Sequence, residues 1–140
     1  MARRVGATVI GTGSPAAADV ARGLGAHEFI DLTDGKDLRR FGRPDVVFDT
    51  IGGDALARST SAVAPGGRLI SIVAPPPAID HASDIVFVVE PDRVQLAQIA
   101  ELVDRGDLTP HIAAEFALGD GQEAFRSKQR GLYGKVVLVP

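Results

Sequence analysis

With 140 residues, 45% of them apolar, and a mean hydropathy of +0.12, the chain can build a domain-sized core. No apolar run approaches the roughly 20 residues of a membrane helix, and a net charge of −3 with scattered arginines excludes the basic footprint of a nucleic-acid binder. The absence of cysteine removes disulfides, a thiol nucleophile and a thiolate zinc site, and Met1-Ala2-Arg3-Arg4 precedes no signal-peptide apolar core, so the expected compartment is the cytoplasm.

Residues 7–11 (ATVIG) place a β-branched run between glycines and predict a strand buried on both faces of a parallel sheet. Ser14 is expected to cap a helix with Pro15 at its first position and Gly25 as its left-handed stop. Val20, Ala21 and Leu24 give that helix one packing face. Residues 27–30 predict a second strand and 36–41 one or two helical turns; 45–50 (DVVFDT) predict a third strand. Gly52-Gly53 then turns into a helix at 55–63, and Ala64-Pro65-Gly66-Gly67 into a fourth strand at 68–73 (RLISIV).

The three successive prolines within 74–84 mark a loop, and 85–89 (IVFVV) predict a fifth strand. A helix follows at 91–105, with Val94, Leu96, Ile99, Leu102 and Val103 as its buried side and Gly106 as its stop. A strand at 112–118, a helix at 122–129 and a strand at 136–139 complete the chain. This alternation predicts an α/β fold: a doubly wound parallel sheet with helices on both faces.

The segments GATVIGT (6–12), LGAHEFIDL (24–32), DVVFDTIGG (45–53), APGGRLISI (64–72), FVVEPD (87–92) and GKVVL (134–138) occur in an order and spacing that resemble one family. They are similar to the C-terminal half of a medium-chain dehydrogenase/reductase of the quinone-oxidoreductase kind, often called a zinc-binding dehydrogenase. The resemblance implies an oxidoreductase that passes hydride directly from NADP(H), or from NAD(H), to a quinone or enone, with no zinc. It also implies a partial Rossmann-type nucleotide-binding domain over 1–107 and, over 108–140, a strand-helix-strand segment that returns to a catalytic domain.

In that family's strand order, 3-2-1-4-5-6, a first strand with a Gly-rich loop lies between the strands at 7–11 and 45–50. Neither that strand nor the catalytic domain is found in this sequence, so the resemblance implies a truncated, incomplete sheet. The expected partners are a second copy of the chain or a complementing catalytic-domain chain, besides the small-molecule cofactor; no nucleic acid or membrane partner is expected.

The resemblance assigns Thr12, Gly13 and Ser14 to recognition of the adenosine ribose. No acidic residue stands there to repel a 2′-phosphate, which suits NADP(H). Ala16, Ala17 and Leu32 stand where relatives place a cation or a tyrosine, leaving Arg130 as the remaining candidate cation; the competing reading of Arg130 is a solvated helix-end arginine. Thr50, Ile51, Val73, Ala74, Phe87 and Val89 lie at carboxyl ends of predicted strands, the edge where open α/β sheets bind ligands. By the same likeness they line the nicotinamide, unless Ile51, Phe87 and Val89 are core. Asp49 is expected as a strand-end cap, with a ribose contact as its other reading.

A second account treats Gly11-Thr12-Gly13-Ser14-Pro15-Ala16 as a G-x-G-x-x-A fingerprint with Asp31 on the ribose, making a compact NAD-binding module. The residues are also compatible with a non-catalytic assembly module, and PGGRLI before a strand with a methyltransferase-like domain. His27, His81 and His111 have no metal-ligand spacing, and Ser59, Ser61 and Ser71 lack a nucleophile elbow. Glu90 and Asp92 flank Pro91 at a helix start, where the macrodipole accounts for them. No residue of this chain is expected to be catalytic.

Overall fold

A computed structural model describes every residue except 36, 37 and 87, together with the side chains at 40 and 86. The chain forms β1 (Ile10–Gly13), α1 (Ala18–Gly23), β2 (Glu28–Asp31), β3 (Val46–Asp49), α2 (Gly53–Thr60), β4 (Arg68–Ser71), β5 (Ser83–Val86), α3 (Arg93–Asp104), β6 (Ile112–Ala117), α4 (Gly121–Gln129) and β7 (Lys135–Val139). Among the described residues all strand pairs are parallel, in three sheets: β1 with β2, β3–β4–β5, and β6 with β7. Two compact units result, Thr8–Pro91 and Met1–Ala7 with Asp92–Pro140. Among the described residues no helix is long and apolar enough to cross a membrane.

In the unit Thr8–Pro91 the first strand starts at Ile10, not at residue 7. Val9 meets the neighbouring chain segment through a side chain: its N–H donates to His27 Nδ1 at 2.9 Å while its carbonyl accepts from His27 N–H at 2.8 Å. Ser14 is extended and Pro15 opens the turn behind it, but that turn, Pro15–Ala17, is 3-10 and the regular helix begins at Ala18. Gly25, at φ 103, stops α1 as expected.

Gly11 and Gly13 share one face of β1 because side chains alternate along a strand. α1 packs there so closely that a Cβ at Gly11 would lie 3.3 Å from Ala21 Cβ and 3.4 Å from Phe29 Cδ2, and one at Gly13 3.5 Å from Ala17 Cβ. The opposite face, Ile10 and Ile30, joins Leu38, Ala62, Leu32 and Phe41 in a small core. The predicted turns at 36–41 appear as a 3-10 segment Leu38–Phe41, with residues 36 and 37 outside the described set.

In β3–β4–β5, Val46, Val47, Phe48 and Asp49 stand beside Arg68, Leu69, Ile70 and Ser71. Leu69, Ser71 and Asp49 are buried on one face, above Leu56 of α2 and Val63 just beyond it. β4 ends at Ser71, two residues before the prediction, because the Ser71 hydroxyl takes the N–H groups of Val73 and Ala74 that a longer ladder would use. β5 starts at Ser83, inside the expected loop, where Ser83 N–H donates to the Gly67 carbonyl at 3.0 Å; residues 88 and 89 lie outside the strand.

In the other unit Asp92 caps α3, its Oδ1 accepting from Val94 N–H at 2.8 Å and Gln95 N–H at 3.0 Å, and Gly106 at φ 72 ends it. The apolar side predicted to be buried is mostly not: Val94, Leu96, Ile99 and Val103 are exposed, and Leu102 is half-buried. β6, β7 and α4 bury Ala124 and Ser127 of α4 and leave that side of α3 uncovered. Residues 2–5 form a 3-10 turn held by Arg4, whose Nη1 lies 3.0 Å from Asp107 Oδ1.

Candidate functional site

Within the unit Thr8–Pro91, the sequence-derived candidates lie at the carboxyl ends of parallel strands in two separate sheets. Thr12 and Gly13 close β1, and Ser14 turns the chain toward α1. Asp31, at the end of β2 beside Gly13, is engaged locally: its Oδ1 accepts from Thr33 N–H at 2.8 Å and from the Thr33 hydroxyl at 2.6 Å.

The ends of β3 and β4 are tied together by two buried side chains. Asp49 Oδ1 accepts from Ile51 N–H at 3.3 Å and Gly52 N–H at 3.2 Å. Its Oδ2 accepts from Gly52 N–H at 3.1 Å and from the Ser71 hydroxyl at 3.0 Å. The Ser71 oxygen in turn accepts from Val73 N–H at 3.2 Å and Ala74 N–H at 3.3 Å. Asp49 is therefore a strand-end cap, as the sequence suggested, and a carboxylate removed from water is satisfied by the donors its burial requires.

Gly52 has φ 75 and ψ −165, and a Cβ there would sit 2.8 Å from Val73 Cγ1. Only glycine fits a backbone that is left-handed in φ and pressed against the next loop. Thr50 and Ile51 follow β3, and Val73 and Ala74 follow β4; Ile51 is 54% exposed and Val73 53%, which presents an apolar rim to solvent. Ile51 and Val89, the latter 70% exposed, are thus not core residues. Phe87 lies outside the described residues.

Arg130 belongs to the other unit, where it closes α4 and its Nη2 lies 3.1 Å from Glu123 Oε1. The same unit holds the pair in which the Arg4 guanidinium, by hydrogen bond and charge, lowers the Asp107 carboxyl below its usual range; Asp107 in turn raises Arg4.

Ser71 is the site residue that sequence reasoning misses. Its position in register with Asp49, one strand over, is the signal that names it, since FDT and ISI end adjacent parallel strands. As for metals, the described residues contain no group of three or more His, Cys, Asp or Glu able to hold an ion. The His27 ring is engaged by Val9 N–H, and His81 Nε2 lies 3.2 Å from the Val63 carbonyl. These donors do not fit a zinc site.

Residues 24–138 match the family model for zinc-binding dehydrogenases. A probable zinc-binding oxidoreductase, mitochondrial, from Arthroderma benhamiae is 32% identical over 93% of this chain and 43% of its own length. Two solved structures share the fold. The quinone oxidoreductase of Coxiella burnetii has 23% identity and a TM-score of 0.83 over 99% of this chain and 47% of its own. A probable oxidoreductase from Mycobacterium abscessus has 26% identity and a TM-score of 0.75 over 99% of this chain and 48% of its own. The chain thus spans less than half the length of each of these relatives. On the match over residues 24–138 it belongs to the zinc-binding dehydrogenase family.

Proposed function

We propose that this chain supplies the dinucleotide-binding part of an NADP(H)-dependent oxidoreductase that transfers hydride directly to a quinone or enone. The observation that carries this is β1, which among the described residues is hydrogen-bonded in its sheet to β2 alone and ends in Thr12-Gly13-Ser14, none of them acidic. A compact NAD module built on Gly11-Thr12-Gly13 would need β1 at the centre of one sheet with β3 on its other side, and a free Asp31. Here the two glycines answer to the close approach of α1, and Asp31 answers to Thr33.

The nicotinamide of a bound cofactor supplies the hydride, so binding and orientation are what this chain contributes. The Thr12 and Ser14 hydroxyls, with the backbone at Gly13, offer donors to the adenosine ribose and its 2′-phosphate; none of these three residues is acidic, and the Asp31 carboxylate beside Gly13 is engaged by Thr33. Thr50, Ile51, Val73 and Ala74, with Val89 from the following segment, form the surface for the nicotinamide and its ribose. The exposed apolar side chains among them displace water from one side of the ring.

The free edges of β1 and β3 suit one further parallel strand, from a second copy or from a chain carrying the catalytic domain.

Titration with NADPH and NADH, read by nicotinamide fluorescence, tests the cofactor. NADPH is expected to bind at least about tenfold more tightly, and Ser14→Asp to reverse the order by repelling the 2′-phosphate. Equal binding of the two overturns the assignment at β1, and binding of S-adenosylmethionine in place of both overturns the activity.

A further inference from the structure

We infer that Asp49 and Ser71 are positioning residues that work as one clamp, holding the loops after β3 and β4 at a fixed separation and so shaping the surface offered to the nicotinamide half of the cofactor. The inference rests on the cofactor assignment proposed above, and it adds to it the element that sets the geometry.

An ordinary strand-end cap serves the loop that follows its own strand. Asp49 does this for Ile51 and Gly52, but its Oδ2 also receives the hydroxyl hydrogen of Ser71, on the neighbouring strand. That hydrogen is the only one the hydroxyl has, so once it is given to Asp49 the oxygen's lone pairs remain for Val73 N–H and Ala74 N–H. Donation to a carboxylate polarises the hydroxyl and strengthens what it accepts, so the amides of one loop are held by way of the side chain that holds the other.

Both side chains are shielded from solvent, Ser71 completely, and among the described residues no buried side-chain polar atom lacks a partner. The same two loops also run close together at Gly52, where a Cβ would lie 2.8 Å from Val73 Cγ1. Four amides in two loops therefore depend on two side chains, and the four outward residues Thr50, Ile51, Val73 and Ala74 ride on them.

Amide hydrogen exchange on the whole chain tests the clamp directly. Ser71→Ala is expected to speed exchange at Val73 and Ala74, and also across the relay at Ile51 and Gly52, by roughly tenfold or more, as the loss of a hydrogen bond to a charged group implies. Asp49→Asn is expected to do the reverse, speeding exchange at Val73 and Ala74 by way of Ser71. A merely local role predicts faster exchange only beside the altered residue, and that result overturns the clamp. So does loss of the whole fold in both variants, which makes the pair general core.

A second readout is the ratio of affinities in Ser71→Ala. NADPH is expected to weaken by about tenfold, while adenosine 2′-monophosphate, which engages only the Thr12–Ser14 end, is unchanged. A parallel loss of both overturns the inference. If the unaltered chain binds neither nucleotide, the cofactor assignment fails on that result alone, and exchange across the two loops still decides the clamp.

Discussion

The two faces of β3–β4–β5 are made by the same strands, yet they differ. On one, Leu69, Asp49 and Ser71 are buried against Leu56 and Val63. On the other, Val46 is 55% exposed, Phe48 59% and Ile85 41%. Residue type does not separate them, since the exposed side is the more apolar of the two. Parallel strands read as continuous apolar runs because such sheets are built to be covered twice. The cover over the first face is α2. The second face is as ready for burial and stands open, so the apolar pattern records a capacity that the described part of the chain satisfies on one side.

The largest expected effect is the contrast between Leu69→Ala and Phe48→Ala in urea unfolding. Leu69 is fully enclosed, and its truncation is expected to destabilise by about 2–5 kcal/mol. Phe48, mostly in solvent, is expected to stay within about 0.5 kcal/mol. Equal losses would break the comparison, since they would mean that the open face is covered in solution.

Gly52→Ala comes next, at about 1–3 kcal/mol, because a non-glycine residue is strained at φ 75 and its Cβ meets Val73. A midpoint unchanged from the parent would remove the interlock between the two loops.

A smaller effect is expected on association. Apolar strand faces and open edges pair between chains, so sedimentation velocity should show mass rising with concentration, and Phe48→Lys should shift that rise to higher concentration. A parent chain that stays monomeric and unfolds in one sharp two-state step would show that the open face and edges are tolerated.

The parts of the fold legible in the sequence are those fixed by local chemistry. Gly25 and Gly106 stop their helices, and Asp92, beside Pro91, caps α3, because positive φ and orphan N–H groups make strict demands on residue type. Strand limits are less legible where a side chain replaces a ladder bond. His27 takes the N–H of Val9 and delays β1, and Ser71 takes two N–H groups and shortens β4.

The buried side assigned to α3 fails for a different reason. Its spacing describes an amphipathic helix truly, but spacing does not say whether the covering element is at hand. At the candidate site Asp49 is readable as a cap from its place at a strand end. Ser71 is not, because its role exists only once β3 and β4 are set in parallel register.

The smallest expected effect contrasts the buried carboxylate of Asp49 with the surface carboxylate of Asp107. Arg4, and after it Arg105, hold the Asp107 carboxyl below the usual range, through hydrogen bonds first and charge second. A carboxyl lowered on folding adds stability that is fully present above its unfolded pKa, about 4, and is lost as pH falls through the lower folded value. The parent should therefore melt slightly above Asp107→Asn at neutral pH, with the gap closing as acid passes that range. Both partners reach solvent, so the gap should also shrink in 1 M salt, where charges are screened over about 3 Å. The exchange rates set by Asp49, whose partners are buried amides and a hydroxyl, should not move with salt. A gap that widens in acid would reverse the sign assigned to the Arg4–Asp107 pair, and salt-sensitive exchange at Ile51 and Gly52 would place Asp49 on the wet side of the comparison.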